Sequence, residues 1–376
     1  MAFLVGMSSS QWMKLLLENK FAIDPKYIPR ALFLTMLSLR NSILKKKENK
    51  LYASEIEKTT VKDPVFILGH WRSGTTLIHN LMALDESFAY PNLFQVTHPH
   101  CFIMREKMVE TAMASAQPQK RPMDNLKVTF NSPGEDESAI AVMCTRSPII
   151  AKGFYRNKDL YESFCTFEKA KKKDKEKWEE SFLWFLKKLT WRYNKPLILK
   201  SPLHTGRIAL MLSLFPNAKF VHIHRNPFVV YQSTFNLYKT LFPGLCFQET
   251  ESSDWTSDII RNYKTMYEAY FSQRSMIPYG NLVDICFEEV EKNTLGQMKY
   301  IYEKLNLGDF ERVRPAMENY TKSQKEYKKN KYAKLPENIF KEIAKQWHRS
   351  FVEWGYPIKY QPGADEHIGL PKKTVN

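Results

Sequence analysis

The stretch Gly69-His70-Trp71-Arg72-Ser73-Gly74-Thr75-Thr76 holds the residue types that grip a multiply charged oxyanion. Gly69 and Gly74 keep the glycine spacing of a phosphate-binding loop, G-x-x-x-x-G-K-[ST], but Thr75 stands where that loop has its lysine. The cation sits inside the loop instead, at Arg72. Arg72, Ser73, Gly74, Thr75 and Thr76 offer a guanidinium, hydroxyls, backbone amides and a helix N-terminus to an anion. Two further cations close short apolar runs, Lys200 in "LILKSP" and Arg225 in "FVHIHRNP". Metal-dependent nucleotide hydrolases and kinases need an acidic residue at such a strand end to hold magnesium. Cations in that place argue against the class, and no metal is expected.

These residues need a frame that brings several strand ends to one edge. "VFIL" (65–68) is the continuous apolar run of a strand buried on both faces, and a helix follows from Thr75 with Leu77, Ile78, Leu81, Met82 and Leu84 inward. "PLILKSP" and "KFVHIHRNP" repeat the strand pattern, each leading into a helix, and Pro227 suits the first turn of "PFVVYQSTFNLY". "NLVDICFEEV" reads as one more strand and helix. Alternation of this kind calls for parallel strands with crossover helices. The expected fold is α/β, a P-loop-type three-layer fold whose central, mainly parallel sheet is flanked by helices, with helical N- and C-terminal extensions. Ligands of such sheets bind at the carboxyl ends of the strands, where Lys200 and Arg225 fall. Ser233 lies about two turns into the helix after Arg225.

Residues 1–60 read as a helical extension packed on the core, because Trp12, Leu15, Leu16 and then Leu32, Met36, Leu39, Ile43 recur at helical spacing. "ALFLTMLSLRNSILKKK" also sets apolar residues beside a basic cluster, the composition of an interfacial helix. Residues 61–376 form the rest as one domain. It includes a long charged helix over 168–192 with Trp178, Phe182, Phe185, Leu186 and Leu189 on one side, then a lysine-rich C-terminal segment and the amphipathic "IFKEIAKQWHRSFVEWGY".

Hydrophobic residues make up 43% of the 376, enough for a substantial core. Lys and Arg number 56 against 40 Asp and Glu, an excess of 16 that favours anionic partners. No RNA-binding aromatic signature or zinc-finger spacing accompanies it, so nucleic acid is not expected. Cys101, Cys144, Cys165, Cys246 and Cys286 sit among apolar residues and read as reduced core thiols. The longest apolar stretch falls short of the roughly 20 residues that span a bilayer, and the N-terminus lacks a signal-peptide pattern. A cytoplasmic chain is expected, with peripheral membrane contact through the basic N-terminal helix left open.

"HWRSGTTLIHNLM", together with "LILKSPLHTGRIALMLSLFPNAKFVHIHRNPFVVYQS", resembles the sulfotransferase superfamily. The likeness is to the large bacterial-type group related to tyrosylprotein sulfotransferases, which uses 3'-phosphoadenosine 5'-phosphosulfate. "RPMDNLKVTFNSPGEDESAI" is similar to the acidic "SPxEDE" segment of that group, and "KNKYAKL" is a weaker echo. The resemblance implies metal-independent, in-line transfer of a sulfonate from that donor to a hydroxyl acceptor, and the aromatic content and basic amphipathic N-terminus slightly favour a lipid-like one. It also implies that Arg72, Ser73, Gly74, Thr75 and Thr76 wrap the 5'-phosphosulfate, and that Arg225 and Ser233 bind the 3'-phosphate. Lys200 would stand at the reacting sulfuryl group, His204 and Arg207 would line the same cleft, and Lys331, Tyr332 and Lys334 would close over the bisphosphate. The readings beside it are a non-catalytic adenosine bisphosphate-binding module and a P-loop kinase or nucleotidase.

Sulfuryl transfer resembles phosphoryl transfer, with a loose in-line transition state stabilised by fixed cations and amides, here Arg72 and Lys200. The acceptor hydroxyl must also give up a proton to a base within hydrogen-bond reach. Tyrosylprotein sulfotransferases carry a glutamate about twenty residues beyond the loop, where this chain has "YPNLFQVTHPH". The candidates are therefore Glu135, Asp136 and Glu137, with Glu137 or Asp136 ahead, and then His98 or His100.

Overall fold

Strands β1 (Val65–Leu68), β2 (Ile198–Lys200), β3 (Lys219–His224) and β4 (Leu282–Cys286) form one sheet in the order β2-β1-β3-β4, every pairing parallel. The computed structural model describes residues 4–113, 119–121, 124, 126–324, 330 and 332–359. Alternation along the strands feeds two cores. Phe66, Leu68, Leu199 and Phe220 point into one, while Val65, Ile67, Ile198, Val221 and Ile223 point into the other. Helices cover both faces, which makes three layers. A separate two-stranded ribbon pairs Gln119–Lys120 with Lys127–Val128.

Eight of the helices carry or buttress the site: α1 (Ser9–Glu18), α2 (Ile28–Glu57), α3 (Thr75–Met82), α4 (Asp136–Cys144), α5 (Lys172–Tyr193), α6 (Ile208–Leu214), α7 (Pro227–Leu245) and α8 (Ser252–Gln273). On α5, Trp178, Phe182, Phe185, Leu186 and Leu189 are fully buried. Each such side chain contributes roughly 1.5–3 kcal/mol of burial free energy, so this one stripe fixes the helix on the sheet. Asn226 caps α7 by accepting from the Phe228 amide at 3.0 Å, and Pro227 opens the helix. Register sets the site: Ile67 pairs with Lys200 and His224 with Cys286, so Lys200 and Arg225 reach the same sheet edge as the loop after β1.

The N-terminal helices pack on this frame through Trp12, Leu15 and Leu16 of α1 and through Ala31, Leu34, Ser38 and Asn41 of α2. A buried ion pair, Lys188 Nζ to Glu48 Oε1 at 2.5 Å, ties α2 to α5. Burial pushes the Glu48 carboxyl upward in pKa, with Lys188 pulling the other way. One expectation is corrected here. Leu32, Met36, Leu39 and Ile43 do recur at helical spacing, but they are 61%, 64%, 58% and 58% exposed and make no core. The inward side of α2 sets Leu34 and Ile56 among Ala31, Ser38, Asn41 and Glu48, of which a hydrophobicity pattern selects only part. No helix among the described residues is long and apolar enough to cross a membrane.

Candidate active site

The loop after β1 turns under tight steric control. Gly69 has φ +137°, and a Cβ there would collide with the Ile223 carbonyl. Gly74 has φ +108°, and a Cβ there would meet the Phe287 ring. Arg72 holds φ +74° without being glycine, the kind of local strain that binding loops retain. Ser73 locks the turn, its amide and hydroxyl both donating to the His70 carbonyl at 3.1 and 2.7 Å. Gly69 N donates to Thr205 Oγ1 at 2.7 Å and His70 N to the Tyr267 hydroxyl at 3.1 Å. The first amides of α3, Thr75 and Thr76 among them, have no acceptor within the helix, the donor arrangement that suits an anion at a helix N-terminus.

At one end of this loop the structure brings Arg72, Ser233 and Arg225 together. Arg72 Nε donates to Ser233 Oγ at 2.9 Å, and Arg225 Nη1 donates to the Arg72 carbonyl at 3.2 Å. Tyr332 donates its hydroxyl to Ser233 Oγ at 2.9 Å, and Gln232 Nε2 donates to the Ala333 carbonyl at 2.6 Å, so the C-terminal segment lies across α7. Lys331 lies outside the described residues. Arg225 stacks over Phe287 with 4.1 Å to the ring centroid; its burial lowers its pKa, which Glu291 and Glu288 oppose. Asp124 accepts from Arg72 Nη1 at 2.8 Å and from Arg121 Nη2 at 2.6 Å. Burial would raise the Asp124 pKa, but Arg121 and Arg72 outweigh it and hold the carboxyl below its usual range.

At the other end stands Lys200, almost fully buried, donating to Glu135 Oε1 at 2.6 Å. The three neighbouring acids divide sharply. Glu135 keeps a side chain 29% exposed, whereas Asp136 and Glu137 are wholly buried. Glu137 takes two bonds from Arg207, Nη1 at 2.8 Å and Nη2 at 3.2 Å, and another from Trp178 Nε1 at 3.2 Å. Asp136 Oδ2 lies 2.5 Å from His204 Nε2. Asp136 and Glu137, placed ahead as bases on sequence grounds, are thus committed to buried partners, and His204 and Arg207 are those partners instead of cleft-lining groups.

His98 is not with these residues. Its Nδ1 meets Thr97 Oγ1 at 3.0 Å, its ring stacks on Phe94 at 4.9 Å, and burial with Arg105 pushes its pKa down to about 4. His100 is buried, its pKa lowered by burial and by Lys45 and Lys188 of the α2 and α5 helices. Neither histidine has a loop residue, Lys200 or Glu135 among these partners.

A narrow cleft of about 40 Å³ opens beside the loop, lined by Trp71, Ile149, Lys152, Leu203, Tyr238 and Phe242 among others. Lys152 lies over the rings of Trp71 at 5.4 Å and Tyr238 at 5.7 Å. Burial depresses its pKa, and the negative charge of Glu135 acts against that shift. Sequence reading did not single out Asp124 or Lys152, and it placed Glu135 behind its two neighbours. Only the Arg121 to Asp124 spacing gave a local hint, and nothing local says that Asp124 reaches Arg72.

A family model described as "Sulfotransferase family" matches residues 64–312. The chain is 30% identical, over an alignment of 375 residues, to the omega-hydroxy-beta-dihydromenaquinone-9 sulfotransferase Stf3 of Mycobacterium bovis and to that of Mycobacterium tuberculosis. Each alignment covers 98% of this chain and 93% of the relative. Among solved structures, sulfotransferase STF1 from Mycobacterium tuberculosis matches at TM-score 0.65 and 15% identity, over 90% of this chain and 92% of that one. Sulfotransferase STF9 from Mycobacterium avium matches at TM-score 0.58 and 15% identity, over 93% and 96%. These two structures share the fold.

Proposed function

The chain belongs to the sulfotransferase family, and on that premise we propose that its donor is 3'-phosphoadenosine 5'-phosphosulfate and its acceptor the hydroxyl of a lipid-like molecule. The observation that carries the donor assignment is the meeting of Arg72, Arg225, Ser233 and Tyr332 beside a glycine-framed loop, with Lys200 at the adjoining strand end. The Arg72 and Arg225 guanidinium groups gathered at Ser233 beside the glycine turn fit a bound phosphate.

When bound, the donor supplies an activated sulfonate and a bisphosphate leaving group. The amides of Gly74, Thr75 and Thr76 and the hydroxyls beside them hold the 5' end, while Arg225, Ser233 and Tyr332 hold the 3'-phosphate. Arg72, bonded to Ser233 and Asp124, acts at the bisphosphate side. Lys200 aims its ammonium at the charge that develops on the transferring group and the bridging oxygen. Glu135 takes the hydroxyl proton. It is the one of the three acids that combines partial exposure with contact to Lys200.

The cleft lined by Trp71, Leu203, Tyr238 and Phe242 admits the acceptor, and its apolar walls favour a hydrophobic alcohol. That the Stf3 relatives are named for a hydroxylated menaquinone derivative supports the acceptor class without fixing the compound. The test is an acceptor screen with sulfur-labelled donor across lipid alcohols, phenols, sterols and glycans. Label on lipid alcohols, lost in Lys200→Ala, supports the reading; transfer confined to glycans would end the acceptor assignment.

A further inference from the structure

Ten of the eighteen large apolar side chains that stand exposed among the described residues lie between Met13 and Leu51. They are concentrated on α1, α2 and the turn between them. Ile28, Leu32, Met36, Leu39 and Ile43 fall, at about 100° per residue, within an arc of about 80° on α2. Ala31, Leu34, Ser38 and Asn41, which hold α2 to the core, occupy the opposite side. The stripe runs about 22 Å along the helix. Lys46 and Lys50 continue the same arc past Ile43, with Arg40 and Lys47 at its border, and all four are exposed. The neighbouring α1 adds exposed Met13 and Leu17.

We propose that this outer face of α2, with the exposed side chains of α1, docks on an anionic phospholipid bilayer. A second copy of the chain is a poor occupant. Laid parallel it would set lysine against lysine, and laid antiparallel it would press lysines on the apolar stripe. An anionic bilayer satisfies both halves, the stripe entering the acyl boundary while Lys46, Lys47 and Lys50 reach the phosphate layer. The placement also has a use. Arg30, in the first turn of α2, donates to the Cys246 carbonyl at 2.9 Å and to the Gly244 carbonyl, at the end of α7. Tyr238 and Phe242, two turns and one turn earlier on α7, line the cleft. Arg30 lies on the side of α2 opposite the stripe, so the stripe begins on the turn whose inner side meets the helix end that walls the cleft, and a bilayer on it would lie across α2 from a lipid alcohol entering there. This last step rests on the proposed acceptor; the docking surface does not.

The test sediments the full chain with phosphatidylcholine vesicles, with and without phosphatidylglycerol, in the absence of donor and acceptor. Binding to the mixed vesicles and at least about ten-fold weaker binding to neutral ones is expected. Leu32→Glu, Met36→Glu and Leu39→Glu together should abolish it without lowering the circular-dichroism melt, because these side chains support no core. Lys46→Gln, Lys47→Gln and Lys50→Gln together should weaken it by about a hundred-fold, from about five-fold per lysine. Equal affinity for neutral and anionic vesicles, or binding undiminished in both variants, overturns the proposal. So does a concentration-dependent dimer in sedimentation velocity that the glutamate variant dissolves, which would assign the face to a second copy. Because the readout contains neither donor nor acceptor, its failure leaves the reaction assignment standing, and the reverse also holds.

Discussion

Replacing the acids of the "GEDE" segment one at a time, as Glu135→Gln, Asp136→Asn and Glu137→Gln, separates chemistry from architecture. Glu135 touches Lys200 at 2.6 Å and is partly exposed, so the isosteric amide still accepts that bond, while the buried Lys200 ammonium loses its counter-charge and stability should fall by about 1.5–3 kcal/mol. What is lost is the proton acceptor, worth about 10²–10⁴ in rate, or at least about 2.7 kcal/mol of transition-state free energy. Glu137 is the opposite case. It is wholly buried, with Arg207 wholly buried against it, and breaking such a pair costs about 3–5 kcal/mol because the partner charge stays behind unpaired. For a chain of this size that is a Tm drop of roughly 5 °C or more, scaling from smaller domains. Asp136→Asn should behave like Glu137→Gln, through His204. The assays are steady-state transfer to one lipid alcohol, thermal melting, and titration with adenosine 3',5'-bisphosphate. Glu135→Gln should lose kcat with bisphosphate affinity intact and a smaller fall in melting temperature than the two buried variants, which should lose stability with the folded fraction still active. The division of roles is refuted if Glu135→Gln keeps more than about a tenth of its turnover while Glu137→Gln loses it at an unchanged melting temperature.

Gly74→Ala forces a Cβ into Phe287 at positive φ, so bisphosphate affinity should fall by at least about ten-fold, read by calorimetric titration. Ser233→Ala removes one acceptor for Arg72 and Tyr332 and one contact to a phosphate; a charge-assisted bond of about 1.5–3 kcal/mol predicts about a ten- to hundred-fold loss in the same titration. His70, buried in the loop, has its pKa pushed down to about 4, first by burial and then by Lys152, against the Trp71 carbonyl. A folded pKa below the unfolded 6.5 means stability present above pH 6.5 and lost as pH falls toward 4, about 3 kcal/mol from this group alone. Melting temperatures between those pH values should drop less steeply in His70→Gln. Chelator should leave transfer unchanged, and a dependence on added magnesium would contradict the assignment of charge neutralisation to Arg72, Arg225 and Lys200.

The frame was legible because its signals are local and redundant. "VFIL", "LILK" and "KFVHIH" are apolar runs of strand length, each followed by a helical pattern, and their order alone demands parallel pairing with cations at the strand ends. The loop was legible for a similar reason, since Gly69 and Gly74 answer to backbone conformations only glycine tolerates without strain. What periodicity could not decide was the partner of each charge. Glu135, Asp136 and Glu137 are adjacent, yet the helix start leaves one partly exposed and sends two to the core, a choice made by Arg207, Trp178 and His204 far along the chain. The α2 stripe misled for the mirror reason. Leu32, Met36, Leu39 and Ile43 are exposed, and beside Leu34 and Ile56 its anchors include Ser38, Asn41 and the paired Glu48, which no hydrophobicity pattern marks.

The central claim is that the loop, Arg225 and Ser233 form a metal-independent site for a 3'-phosphorylated adenosine nucleotide. Calorimetric titration with adenosine 3',5'-bisphosphate in the presence of chelator tests it most directly. One molecule bound per chain, with affinity lost in Arg225→Ala and not matched by ATP, is the predicted result. No binding, or binding that needs magnesium and prefers ATP, would contradict it.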